Sequence, residues 1–222
     1  LSSGVNNTVR ALASIGTDLY VGGDFTNASG VADALRIAKW DGTTWSALSS
    51  GVNNTVRALA SIGTDLYVGG DFTNASGVAD ALRIAKWDGT TWSALSSGVN
   101  NTVRALASIG GDLYAGGDFT SASGVTNTLR IAKWDGTGWY ALGTGTTDVV
   151  TSLASIGTDL YVGGDFITAD GVTVNGITKW GAADDPVTIT STDKSFTIQN
   201  GGALSLISVP TSGTGSYKWV QV

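Results

Sequence analysis

The sequence predicts an all-β array of small antiparallel sheets, one sheet per repeat. Three observations carry that expectation. The 47-residue segment Leu1 to Ala47 recurs letter for letter as Leu48 to Ala94. A third copy, Leu95 to Ala141, differs from the first at eight positions, and a diverged fourth copy starts at Leu142. Self-similarity at this period marks a fold assembled from one stacked unit. Inside the unit, short runs rich in Val, Ile, Tyr and Trp are separated by turns bearing Gly, Asn and Asp, which is strand-and-hairpin patterning. Helical periodicity nowhere persists beyond a few residues.

Each unit divides into four strands. Val9 to Ile15 is the first. Gly16-Thr17 separates it from Leu19 to Phe25, and a two-residue loop with Gly first suits a type II′ hairpin. The third copy has Gly110-Gly111 there, which the same turn accepts. A longer connection, Thr26 to Ala34, leads to the third strand, Leu35 to Trp40. Asp41-Gly42-Thr43-Thr44 is a turn signal, and Trp45 to Ser49 closes the unit. Trp40 and Trp45 then face each other across the hairpin, a pairing that contributes about 0.2–1 kcal/mol over an Ala pair. Gly22-Gly23 lies inside the second strand and recurs as Gly69-Gly70, Gly116-Gly117 and Gly163-Gly164. Glycine weakens a strand, so its recurrence predicts a bulge or a close backbone approach near a crowded axis.

The run Leu19-Tyr20-Val21-Gly22-Gly23, followed by Lys39-Trp40-Asp41-Gly42 and Trp45-Ser46-Ala47-Leu48, resembles a kelch-type β-propeller blade. It is similar to the kelch-like arrays of secreted bacterial proteins and fungal cell-surface markers. Trp40 stands where kelch blades carry Tyr, and the spacing to Trp45 is shorter. The resemblance spans residues 1–180 and implies β-propeller blades over units 1–47, 48–94, 95–141 and 142–180. The fourth unit keeps Leu160 to Phe166 and Ile177 to Trp180 but loses the Asp-Gly turn and the second Trp. Four blades are few for this type, so upstream blades in a longer parent, or completion by another copy, are expected. Residues 181–222 carry no repeat signature. Their alternating segments predict a short C-terminal β segment, either a small module or strands that pair with a neighbour.

Composition narrows the chemistry. The chain has no Cys, Met or His, and all 18 acidic residues are Asp. Disulfides, thiol nucleophiles and zinc–thiolate sites are excluded. The usual acid–base groups are missing as well, so the expectation is a non-enzymatic protein without cofactor or metal. The net charge of −6 argues against nucleic acid, and no apolar run reaches the roughly 18 residues of a spanning helix. A Cys-free, Thr-, Ser-, Asn- and Gly-rich chain suits an extracellular or cell-surface setting.

Four of the eight differences between copies one and three fall in the connection between strands two and three. Loops on a rigid scaffold carry function, so this face is the candidate partner surface: Asn27 and Asp33, Asn74 and Asp80, Ser121 and Asn127. Relaxed constraint on exposed loops explains the same variation. Asp24, Asp71, Asp118 and Asp165 follow each Gly-Gly. They either ring a cation or bond backbone amides of their own turns, and the second is favoured because no calcium-loop spacing is present. The repeated Trp residues either stack on sugars or pack between blades. Lys39 and its counterparts are expected in solvent, and Asp18 in an ordinary turn. The function expected is a structural or adhesive contact surface that self-associates into a ring or fibre. The alternative is a glycan-binding lectin with equivalent sites between blades, and a surface protein is a further expected partner.

Overall fold

A computed structural model of the chain describes residues 3–181. Blade 1 is a four-stranded antiparallel meander of β1 (Val9–Ile15), β2 (Asp18–Gly23), β3 (Ile37–Trp40) and β4 (Trp45–Ala47). Blade 2 repeats it as β5 (Val56–Ile62), β6 (Asp65–Gly70), β7 (Ile84–Trp87) and β8 (Trp92–Ala94). Blade 3 follows with β9 (Val103–Ile109), β10 (Asp112–Gly117), β11 (Ile131–Trp134) and β12 (Trp139–Ala141). Blade 4 is three-stranded among the described residues: β13 (Val150–Ile156), β14 (Asp159–Gly164) and β17 (Ile177–Trp180). A small hairpin, β15 (Thr168–Ala169) with β16 (Val172–Thr173), sits in its long connection. The expected C-terminal β segment lies outside the described residues, except for Gly181.

Strand ends are tighter than the sequence suggests, for local reasons. The third strand begins at Ile37 rather than Leu35 because Arg36 is turned to φ 66°. The second ends at Gly23, short of Phe25. The hairpin turns also split. In the first hairpin turn of blade 1, Gly16 has positive φ (58°) and Thr17 does not, as type II′ requires, whereas Gly110 and Gly111 are both positive (61° and 100°). The third copy therefore uses type I′, because a second glycine removes the Cβ penalty that Thr17 would meet there. Trp40 pairs with Trp45 as expected, with ring centroids 5.4 Å apart.

The glycine pair has two separate causes. Pairing slips between Val9↔Gly23 and Ala11↔Gly22, so Arg10 is the extra residue of a bulge. That bulge brings the Thr8 carbonyl onto Gly23, where any Cβ would collide with it. Gly22 instead faces the next blade: a Cβ there would lie 3.1 Å from Val56 Cβ. The glycine strand is second in the meander. The strands that lie side by side from blade to blade are the first ones, β1 with β5, β5 with β9, and β9 with β13.

Each blade buries a small cluster of its own, Val21, Phe25, Ala28, Ala34 and Ala38 in blade 1, and larger apolar clusters run from blade to blade. Tyr20, Ile37 and Leu48 of blade 1 pack with Val56, Leu66, Phe72 and Trp92 of blade 2. The same set recurs from blade 2 to blade 3, and from blade 3 to blade 4. A four-stranded sheet has too little area to bury its own faces, and stacking the next repeat supplies the cover. Burying one such Leu or Phe side chain contributes about 1.5–3 kcal/mol.

Candidate interaction surface

The connections between strands two and three, and those leading from one blade to the next, share one face of the array. They are knitted together blade by blade. Asn53 Oδ1 accepts hydrogen bonds from the amides of Thr73 (2.9 Å) and Asn74 (3.1 Å), and its Nδ2 donates to Thr73 Oγ1 at 3.0 Å. Asn6 and Asn100 do the same in blades 1 and 3. Short bridges such as Val52↔Ala75 and Ala75↔Val78 add backbone pairing. The loop backbone is therefore held in one conformation, which lowers the ordering cost of any partner contact.

The candidate residues divide by role within that frame. Asn27 Oδ1 accepts from the Gly30 amide at 2.7 Å, and Asn74 Oδ1 from Gly77 at 2.7 Å. Ser121 Oγ keeps the bond, from Gly124 at 3.2 Å. These three side chains shape their own turns. Asp33, Asp80 and Asn127 are exposed at φ 62°, 63° and 62°. Asp and Asn are the non-glycine residues that tolerate this region, so the Asp-to-Asn change keeps the backbone and removes one charge. The Ala34-to-Thr128 change is also structural. The buried Thr128 hydroxyl accepts from the Ala122 amide (2.8 Å) and donates to the Val125 carbonyl (2.9 Å). The side chains left facing solvent are those of Asp33, Asp80 and Asn127 with their neighbours Ala32, Ala79 and Thr126.

The Asp after each glycine pair does not cap its own turn. Asp24 takes two hydrogen bonds from Arg10 Nε (2.9 and 3.0 Å) and one from Nη2 (2.6 Å). The bulge is what aims Arg10 at it. Asp71 and Asp118 bind Arg57 and Arg104 likewise. Thr55 of the next blade adds a hydroxyl at 2.8 Å to Asp24, and Thr102 does so to Asp71. The Arg10 hydrogen bond holds Asp24 below the usual carboxylate range, against a smaller upward push from burial. Blade 4 breaks the pattern: Thr151 stands where the other blades have the Arg, leaving Asp165 exposed, and Val149 stands where a Thr would reach back to Asp118 of blade 3. The sequence did contain a signal for this row, because Arg10 and Asp24 recur together at fixed spacing. Among the described residues no group of three or more Asp side chains forms a metal-binding cluster.

Lys39 is likewise paired rather than solvated, donating to Asp18 Oδ2 at 3.0 Å across the sheet. Lys86 and Lys179 repeat the contact with Asp65 and Asp159 at 3.0 and 3.1 Å. Trp87, Trp92, Trp134 and Trp139 are buried at blade junctions. Trp92 Nε1 donates to the Leu48 carbonyl at 3.0 Å, and Trp139 Nε1 to that of Leu95 at 3.0 Å. Two shallow clefts open at equivalent junctions on the hairpin side. One of about 160 Å³ is lined by Tyr67, Lys86 and Trp134. The other, about 190 Å³, is lined by Tyr114, Lys133 and Trp180.

No family model and no curated protein matches the chain. Solved structures do share the fold. The chain is similar to the computationally designed Ika4 protein at 19% identity and TM-score 0.51, covering 82% of this chain and 95% of that one. It is also similar to the WD40 β-propeller domain of Doa1 at 11% identity and TM-score 0.52, covering 81% of this chain. The chain spans about half of that second structure, 53% of its length. The likeness, with the repeated four-stranded sheets, establishes an all-β fold of β-propeller blades.

Proposed function

We propose that the chain is a non-enzymatic interaction scaffold of kelch-like blades, working outside the cell or at its surface and associating with copies of itself. One observation carries the scaffold reading. The same pair of loops is presented on one face of successive rigid blades, with its backbone locked by Asn6, Asn53 and Asn100. Between blades 1 and 3 the outward side chains on that frame change from Ala32 to Thr126 and from Asp33 to Asn127, and scaffolds that bind through loops vary at such positions. Composition supports the non-catalytic part of the proposal, because His, Cys and Glu are missing and Asp24, Asp71 and Asp118 are engaged by Arg.

The test is a peptide array and a glycan array, each probed with the labelled chain and with the triple variant Asp33→Gly, Asp80→Gly, Asn127→Gly. Glycine keeps the positive φ while deleting the side chains. Retention of peptides by the parent chain and its loss in the variant is the expected result. Peptide binding unchanged by the variant would contradict the loop face. A second reading, glycan binding, is favoured by the two equivalent clefts with an aromatic wall and a lysine. It would be chosen by glycan retention that survives the loop variant and falls on Lys86→Ala.

A further inference from the structure

The ends of the array differ from the junctions inside it. At each junction a Val and a Leu of one first strand press on a glycine of the preceding blade. A Cβ on Gly22 would meet Val56 Cβ at 3.1 Å and Leu59 Cδ1 at 3.5 Å; one on Gly116 would meet Val150 Cβ at 3.1 Å and Leu153 Cδ1 at 3.5 Å. Val56, Val103 and Val150 are 0% exposed. Among the described residues no blade covers their counterparts in blade 1, and Val9 is 42% exposed and Leu12 60%.

The opposite end carries the other half of the same contact. Ile37, Ile84 and Ile131 are 0% exposed, whereas their counterpart Ile177 is 65% exposed, and Ile156 is 67% exposed where Ile15, Ile62 and Ile109 are half-buried. Among the described residues Gly163 faces no further blade, and the nearest side chain to it is Ser152 of its own strand pair. The polar half-contacts match too. Inside the array a Thr hydroxyl of one blade reaches the Asp of the blade before it, Thr55 to Asp24 and Thr102 to Asp71, both at 2.8 Å. Thr8 at one end and Asp165 at the other are left without that partner. Asp165 also lacks the Arg of its own blade, because Thr151 stands there. Charge complements the fit: Arg104 lies within electrostatic reach of Asp71 in the preceding blade and of Asp165 in the following one, so a docked Arg10 adds a second cation beside Asp165.

We propose that a second copy of this chain covers both end faces, docking head to tail with Val9 and Leu12 of one copy on Gly163 of the other and Thr8 on Asp165. This rests on the reading of the chain as self-associating and specifies how it does so. A contact between two different patches gives a ring when it closes and a filament when it does not. The described residues of two copies supply eight blades, within the roughly four to eight that propellers use, and those of three copies exceed it. The docked pair is therefore a closed ring in which each end face is used once.

The chain has no cysteine, so an engineered pair reports the register directly. The internal geometry places the Cβ atoms of the Val and Gly positions 3.1 Å apart, within a small shift of the mean of about 3.8 Å for a disulfide. The variant Val9→Cys with Gly163→Cys should form an oxidised dimer that dithiothreitol releases, and neither single variant should. Light scattering of the parent chain should give twice the monomer mass. Leu12→Asp, at a side chain exposed in the single copy, should leave the thermal midpoint of the monomer unchanged and weaken association at least tenfold. A parent chain that is monomeric at every concentration overturns both the self-association reading and this docking. A parent chain that associates, with no cross-link in the double variant and no effect of Leu12→Asp, overturns the docking alone. A disulfide formed within one chain, or a ladder of longer species, overturns the two-copy ring.

Discussion

At the residue scale, the same amino acid has different value according to whether a blade stands beside it. Gly69 and Gly163 occupy one repeat position. A Cβ on Gly69 would lie 2.5 Å from Val103 Cγ1, whereas Gly163 meets only the movable Ser152 hydroxyl. Gly69→Ala should therefore destabilise the chain by about 1–3 kcal/mol through overpacking. Gly163→Ala should cost about 0.5 kcal/mol or less, as surface changes do, under conditions that keep the chain monomeric. Chemical denaturation of the two variants checks the difference. The carboxylates make a second case. Arg10 holds Asp24 below the usual range. Burial pushes Asp71 up, but Arg57 and Thr102 together outweigh it and leave it low. Hydrogen bonds from Thr43 and Thr44 lower Asp41, those from Thr90 and Thr91 lower Asp88, and those from Thr137 and Gly138 lower Asp135. A lowered folded-state pKa gives stability that is present above the unfolded value of about 3.9 and lost as the pH falls through the folded values. With no His or Cys in the chain, the thermal midpoint should be flat from about pH 5 to 8. It should then drop steadily below about pH 4. A calorimetric series across that range reads it directly, and a transition centred near pH 6 would contradict it.

At the element scale, the strand order and pairing of each blade were legible in the sequence, while the contacts that join blades were only partly so. Val9–Ile15 and the Trp40–Trp45 pair follow from alternation and from a turn with Asp-Gly at its start, both local signals. The bulge at Arg10 was foreshadowed by the glycine pair, yet which residue it would swing toward Asp24 depends on a register slip that no local pattern encodes. Lys39 was read as solvated because a lone lysine usually is; its Asp18 partner lies across the sheet, a non-local pairing. The variable loop drew attention by its substitutions. Half of them, Asn27 to Ser121 and Ala34 to Thr128, turn out to preserve or rebuild internal hydrogen bonds. What sequence could not separate was loop architecture from loop surface, because both occupy the same residues. The indole bonds test the junctions themselves. Trp92→Phe removes a buried bond to the Leu48 carbonyl and should cost about 0.5–1.5 kcal/mol, since that carbonyl keeps the Gly51 amide as a donor. Trp45 Nε1 is buried and has no partner among the described residues, so Trp45→Phe should cost less than Trp92→Phe in parallel urea melts.

At the scale of the whole molecule, stability accumulates at junctions, as expected of a stacked repeat. Phe25, Phe72, Phe119 and Phe166 are fully buried in all four blades, while blades 2 and 3 are flanked on both sides. Among the described residues blades 1 and 4 each leave one face open, and the large exposed apolar side chains Val9, Leu12, Ile156 and Ile177 gather there. Amide hydrogen exchange should accordingly rank blades 2 and 3 as the slowest to open in the monomer. The loop face and the end faces are separate surfaces, so partner binding and self-association can be lost independently by mutation. The central claim is that one junction geometry, repeated inside the chain, also operates between chains. Electron microscopy of the full chain at a concentration where it associates tests this most directly, by counting blades in averaged end-on views. The account expects a closed ring of eight blades around a channel; uniform open arcs of four blades would contradict it.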